Sequence, residues 1–138
     1  MDTSKEYILM CEKAVKIQEL WKPSFGDYAI SLQGRLEIIT KAKNPSMPDF
    51  LLCSTFGEGG RTEWRQLETL NGFIWLPRQD QLQEMINEVN YHKVWNFYEF
   101  VMDDIGSESK KSMEQLWLAY VMRHKYNKIW NGKDWKSV

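Results

Sequence analysis

Near the start of the chain the apolar positions share one side of a helix. Tyr7, Ile8, Cys11, Ala14, Val15, Ile17 and Trp21 form a broad stripe at helical spacing. Thr3 and Glu6 precede it with the spacing at which a hydroxyl and a carboxylate satisfy the free N–H groups of a helix start. Proline disfavours helical backbone in the residue before it, and Lys22-Pro23 follows. The pattern predicts a helix over Thr3–Trp21.

Beyond the turn Phe25-Gly26-Asp27 the period shortens. The runs Tyr28–Leu32 and Leu36–Thr40 flank Gln33-Gly34 and predict a β-hairpin, with glycine supplying the turn geometry. Lys43–Asp49 carries Pro45 and Pro48 and reads as a loop. Phe50–Phe56 is the next strand, and Gly57-Glu58-Gly59-Gly60 the hairpin tip after it. Glu63–Leu70 fits two periods, because Trp64, Leu67 and Leu70 suit a helical turn while the flanks suit a strand. Asn71-Gly72 is a turn, and Phe73–Leu76 a short apolar strand.

Helical spacing returns after Pro77, a residue that suits a first helical turn because its missing N–H is unpaired there anyway. Leu82, Met85, Ile86 and Val89 mark the buried side of a helix over Arg78–Glu88. Tyr91–Ile105 is apolar over most of its circumference, through Val94, Trp95, Phe97, Tyr98, Val101 and Met102, which predicts a central helix. Gly106–Lys111 interrupts it. Ser112 and Gln115 repeat the capping spacing and open a last helix through Leu116, Trp117, Tyr120, Val121 and Ile129, ended by Asn131-Gly132. Segregated helices and short strands joined by tight turns predict an α+β fold. It consists of an N-terminal helix, a small antiparallel sheet of three or four short strands, and three C-terminal helices. Without repeats or a long linker, residues 1–138 read as a single domain.

Composition sharpens this picture. A hydrophobic share of 43% in 138 residues, with seven Trp, excludes a disordered chain, which needs low hydrophobicity and high net charge. The net charge of −1 removes the global basic excess typical of phosphate-neutralising proteins, although Arg123–Lys136 is locally basic. Cys11 and Cys53 have no partner at zinc-ligand spacing and read as reduced, buried thiols. The opening residues are polar, unlike a signal peptide, and no apolar run reaches the roughly 20 residues of a membrane span. A cytoplasmic protein is the expectation.

Four blocks carry a family resemblance: Glu6–Ala14, Gly26-Asp27-Tyr28, Ile74–Leu82 and Met113–Met122. Together, in this order, they resemble small proteins encoded by phages and prophages of Gram-positive bacteria. The resemblance implies a genomic setting and brings no catalytic residues with it.

Three constellations bear on chemistry. Glu99 and Asp103 stand four apart on one helix face beside Asp104, where two carboxylates can share a divalent cation, with Glu84, Glu88 or Glu114 as further ligands. A solvated acidic stripe is the plainer reading, since no paired acidic motif recurs on a second helix. Lys125, Lys128, Lys133 and Lys136 interleave with Tyr126, Trp130 and Trp135, as in stacking platforms for single-stranded nucleic acid, yet the same rings can pin the end of the chain to the core. His92 and His124 have no nucleophile nearby in sequence, and Gly57–Gly60 lacks the Lys-Ser or Lys-Thr of a phosphate-binding loop. With no catalytic, cofactor or firm metal motif, the sequence favours a non-enzymatic protein that binds another protein or a second copy of itself. Trp, Tyr and Met are enriched at interfaces, and seven Trp exceed what one small core readily buries. Nucleic-acid binding and a metal-dependent hydrolase are the alternatives.

Overall fold

A computed structural model describes residues 1–41, 50–55, 59–106 and 109–138. The loop expected over Lys43–Asp49, the strand end Phe56, Gly57-Glu58 of the hairpin tip and part of the Gly106–Lys111 break lie outside them. The chain forms two compact units, Val15–Pro77 and Met1–Ala14 with Arg78–Val138. Among the described residues no helix is long and apolar enough to cross a membrane.

The unit Val15–Pro77 is built on an antiparallel sheet of five strands rather than three or four. The strands are β1 (Tyr28–Ile30), β2 (Leu36–Lys41), β3 (Phe50–Thr55), β4 (Thr62–Gln66) and β5 (Ile74–Leu76), ordered β4-β3-β2-β1-β5. The predicted hairpin pairs Ala29 with Glu37, and Gly34 takes φ +75° in its turn. Glu63–Leu70 satisfies both of its periods in succession, as β4 and then a 3-10 turn over Leu67–Leu70. Side chains alternate across the pleat, so Ala29, Ile39 and Cys53 share a face and pack with Leu70, Phe73 and the partly buried Trp21. A short helix, α2 (Val15–Gln18), guards β5: the Gln18 amide donates to the Trp75 carbonyl at 3.0 Å and accepts from its N–H at 2.8 Å. That side chain replaces a missing strand at an edge that would otherwise invite pairing.

The other unit contains α1 (Lys5–Lys13), α3 (Gln79–Glu84), α4 (Asn90–Phe100) continued by a π-helical turn over Val101–Ile105, α5 (Met113–Tyr126), and a hairpin of β6 (Lys128–Trp130) and β7 (Trp135–Ser137). Four sequence expectations are corrected here. The first helix does not run over Thr3–Trp21. Ser4, not Thr3, is its cap and accepts the Tyr7 N–H at 3.2 Å, while Glu6 pairs with Lys111. It breaks at Ala14 (φ −83°, ψ 59°), although the apolar stripe continues through Ile17 without any proline or glycine to signal the stop. The helix expected over Arg78–Glu88 is only Gln79–Glu84. Pro77 stands ahead of its cap, and Gln81 accepts the Arg78 N–H at 2.9 Å. The last helix ends at Tyr126, because Asn127 turns left-handed (φ 53°) and gives its N–H to Arg123 and Met122. Asparagine tolerates that conformation, and Ile129 then belongs to a strand, with Asn131-Gly132 opening the hairpin turn.

The fourth correction matters most. The helix of Tyr91–Ile105 is not central, since α4 buries Phe97 alone. The central helix is α5, in which every residue from Gln115 to Met122 is buried. Ser112 caps it by accepting the Gln115 N–H at 3.1 Å, and the Gln115 side chain reaches Ser4 at 3.1 Å instead of returning to Ser112. Trp135 folds back as expected, buried with its indole N–H given to the Met10 carbonyl at 3.0 Å.

Candidate functional site

Two surfaces of the helical unit stand out, on different sides of α4. The first is the outer face of the helix. Tyr91 (74% exposed), Val94, Trp95 (52%), Tyr98 (54%) and Met102 lie one turn after another at steps of three or four and are all exposed. Over the eleven steps from Tyr91 to Met102, at ~1.5 Å each, the stripe is about 17 Å long. Its ring edges are held in place: the Trp95 indole donates to Glu99 at 2.8 Å and lies 6.2 Å from Tyr98, and Tyr91 meets His92 edge-on at 5.6 Å. Scattered apolar residues on a surface need no explanation, whereas a contiguous row of large ones marks an interaction face.

The second is an open cavity of about 390 Å³. Phe100 and Asp104 line it from the other side of α4 and its π turn, and Ala119 and Arg123 from the facing side of α5, each pair spaced one turn apart. Lys128 and Trp130 enter from β6 two residues apart, and Met10, Ile105, Lys111, Ile129 and Val138 complete the wall. Lys111 is committed to Glu6 at 2.9 Å. Arg123 donates only to the neutral Asn127 side chain, at 2.6 Å, and neither it nor Lys128 pairs with a carboxylate among the described residues. The cavity therefore presents cationic side chains against a single acidic side chain, Asp104, over a floor of apolar side chains. Its π-helical rim belongs to a class of irregularity that recurs at functional sites.

Comparison with protein-family models, with curated proteins and with solved structures gave no match.

The residues singled out from the sequence are dispersed over the unit. Glu99 accepts the Trp95 indole, Asp103 is exposed on the π turn, and Asp104 belongs to the cavity. Among the described residues no group of three or more His, Cys, Asp or Glu side chains is gathered to hold a metal ion. Glu88, a proposed further ligand, instead accepts from Asn96 at 3.0 Å and lies 3.5 Å from His124. Of the basic-aromatic set, Lys125 donates to the Met85 carbonyl at 3.1 Å, just past α3, while Lys93 takes the Gln83 carbonyl at 2.9 Å. Carbonyls at a helix end lack internal partners, and ammonium groups satisfy them. Tyr126 closes α5, and Lys133 sits in the exposed β6–β7 turn. Trp135 is inside, 5.0 Å from Trp130, so its ring offers no open stacking surface. Lys128 and Trp130 alone of this set reach the cavity, beside Asp104 from the acidic set.

Both thiols are buried and free. Burial pushes Cys53 up to about 11, and the negative charge of Glu37 adds to it. Burial likewise holds Cys11 far above the ordinary thiol range. Neither supplies a thiolate at neutral pH, so neither is an activated nucleophile. Glu37 itself is buried in the sheet with Arg65 Nη2 at 3.6 Å, and Arg65 also meets Glu63 at 3.3 Å. That group is a structural ion pair on the pleat.

Sequence reasoning missed Phe100 and Ala119, and it noticed Arg123 only as part of a basic stretch. Their signal was the one-turn spacing Phe100/Asp104 and Ala119/Arg123 on two helices, which becomes meaningful once the helices are known to face each other.

Proposed function

We propose that this protein works by binding protein rather than by catalysis, and that the outer face of α4 is the surface it uses, with a second copy of the chain as occupant. The carrying observation is the row Tyr91, Val94, Trp95 and Tyr98, exposed along one side of α4 and continued by Met102 on the π turn. Helices join through such rows by inserting side chains of one between those of the other.

The polar groups beside the row favour self-pairing in the antiparallel sense, because an imidazole N–H can donate to a carboxylate. His92 flanks the row at its N-terminal end, and Glu99 and Asp103 flank the same side at its C-terminal end. A two-fold axis across the middle of α4 brings His92 of one copy toward Asp103 of the other and opposes the two helix dipoles. A parallel pair puts this flank of the two copies on opposite sides of the interface and forms no such contact. The resemblance to phage and prophage proteins supports an accessory role, one in which assembly is the activity.

Sedimentation equilibrium decides the matter. The unaltered chain is expected to self-associate, and Trp95→Glu or Tyr98→Glu to leave a folded monomer with an unchanged circular dichroism spectrum. A chain that stays monomeric up to its solubility limit, or a dimer indifferent to both substitutions, overturns the reading.

A further inference from the structure

We infer that the cavity between α4, α5 and β6 is a binding site for a small amphipathic anion, a molecule joining a flat apolar body to one carboxylate or phosphate group. This site is independent of the proposed pairing face, because its residues Phe100 and Asp104 lie on the opposite side of α4 from Tyr91, Trp95 and Tyr98.

Size, wall and charge all point to that class. At about 390 Å³ the space falls within the range of small-molecule pockets and is too small for a folded partner. Phe100, Ile105, Ile129, Met10 and the Trp130 ring give it an apolar lining, against which a flat or branched hydrocarbon body exchanges water for dispersion contacts. Trp130 is held at 5.0 Å from the buried Trp135, so the wall it forms is already fixed before a ligand arrives. Preformed walls reduce the ordering cost of binding.

The charged groups select the sign. Lys128 has no carboxylate partner among the described residues, and Arg123 spends one N–H on neutral Asn127, which orients the guanidinium without neutralising it. A guanidinium with donors to spare beside an ammonium suits a carboxylate or phosphate head, which accepts from both. Asp104 is the one acidic side chain on the wall and disfavours ligands with a second anionic group at that end. Two residues that sequence reading assigned to different chemistries, Asp104 and Lys128, thus act on one ligand with opposite signs.

Calorimetric titration of the full chain with naphthoate, naphthyl phosphate and the uncharged naphthamide tests this directly. Naphthoate or naphthyl phosphate is expected to bind roughly tenfold more tightly than naphthamide, the effect of one charge-assisted hydrogen bond. The arm that binds more tightly identifies the head group. Lys128→Glu is expected to weaken the anion roughly tenfold, and Asp104→Asn, on an exposed position that tolerates the change, to strengthen it severalfold. Naphthamide binding as well as the anions, no binding by any of the three at millimolar concentration, or an Asp104→Asn affinity no higher than that of the unaltered chain overturns the inference.

Discussion

Helices α4 and α5 belong to the same unit and both are crowded with aromatic rings, yet α5 buries eight consecutive residues, Gln115–Met122, and α4 buries Phe97 alone. The difference lies in their neighbours. Around α5 stand α1, α3, α4 and β6, so every side of two helical turns meets protein. The chief partner of α4 is α5, which covers only the side bearing Phe97 and Phe100. There Phe97 stacks flat on Trp117 at 3.9 Å, and both Phe97 and Phe100 lean on Tyr120. Apolar content tells a helix that it has something to bury; the number of elements that reach it decides how much is buried and how much stays exposed.

Cutting a ring from each helix is the strongest way to break that comparison. Trp117→Ala removes a buried indole that stacks on Phe97 and meets Tyr120 edge-on, and is expected to cost about 3–5 kcal/mol of stability. Trp95→Ala removes a ring of the same size from solvent and is expected to stay within about 0.5 kcal/mol, measured on the monomer by denaturant unfolding. Equal costs would mean that α4 is covered after all. In that case the outer row belongs to the core, and the proposed pairing face disappears.

Helix starts give a smaller and signed contrast. Ser112 caps α5, whereas Val89 occupies the same position before α4 in extended backbone (φ −64°, ψ 138°) with no side-chain acceptor. Ser112→Ala is expected to cost about 1 kcal/mol, and Val89→Ser to add up to about 1 kcal/mol, because the new hydroxyl meets N–H groups that now lack a capping side chain. Thermal unfolding of both variants reads the two signs. A loss at both positions would show that Val89 is there for packing or for the partner.

The same pair of helices shows how far the sequence could be read. The β1–β2 hairpin, the Ser112 cap and the anchoring role of Trp135 were legible because each depends on local chemistry: a turn glycine, a hydroxyl at the right offset, a terminal aromatic ring. The α+β class followed from the separation of helical and strand periods. Helix α4 was misread because a circumference full of apolar residues is the same string whether a neighbour covers it or not. The break at Ala14 was invisible for a related reason, as the stripe Tyr7, Met10, Cys11, Ala14, Ile17 keeps its period across it. Among the cavity residues, Asp104, Lys128 and Trp130 were visible as individuals, but their convergence depends on how α4, α5 and β6 meet, which no spacing along the chain encodes.

The finest test concerns how α5 is tied at its start. Asp2 accepts the Ser112 hydroxyl at 2.6 Å and the Ser4 N–H at 2.7 Å, so one carboxylate fastens the caps of α1 and α5 together. Partial burial pulls its pKa upward, but these hydrogen bonds from Ser112 and Ser4 outweigh that and leave it below the ordinary value of 3.8. A lowered carboxylate contributes stability that is present above its unfolded pKa and is lost as pH falls through the folded one. Because Asp2 is only partly buried, solvent screens its charge and the contribution is expected to be a few tenths of a kcal/mol. Asp2→Asn should therefore be slightly less stable than the unaltered chain at pH 7, and the gap should close below pH ~3.8. In a Ser112→Ala background the same substitution should lose about half its effect, since the Ser4 N–H remains as a donor. A gap that persists unchanged into acid would mean that the Asp2 charge contributes nothing and that only its shape matters, leaving Ser112 to hold α5 alone.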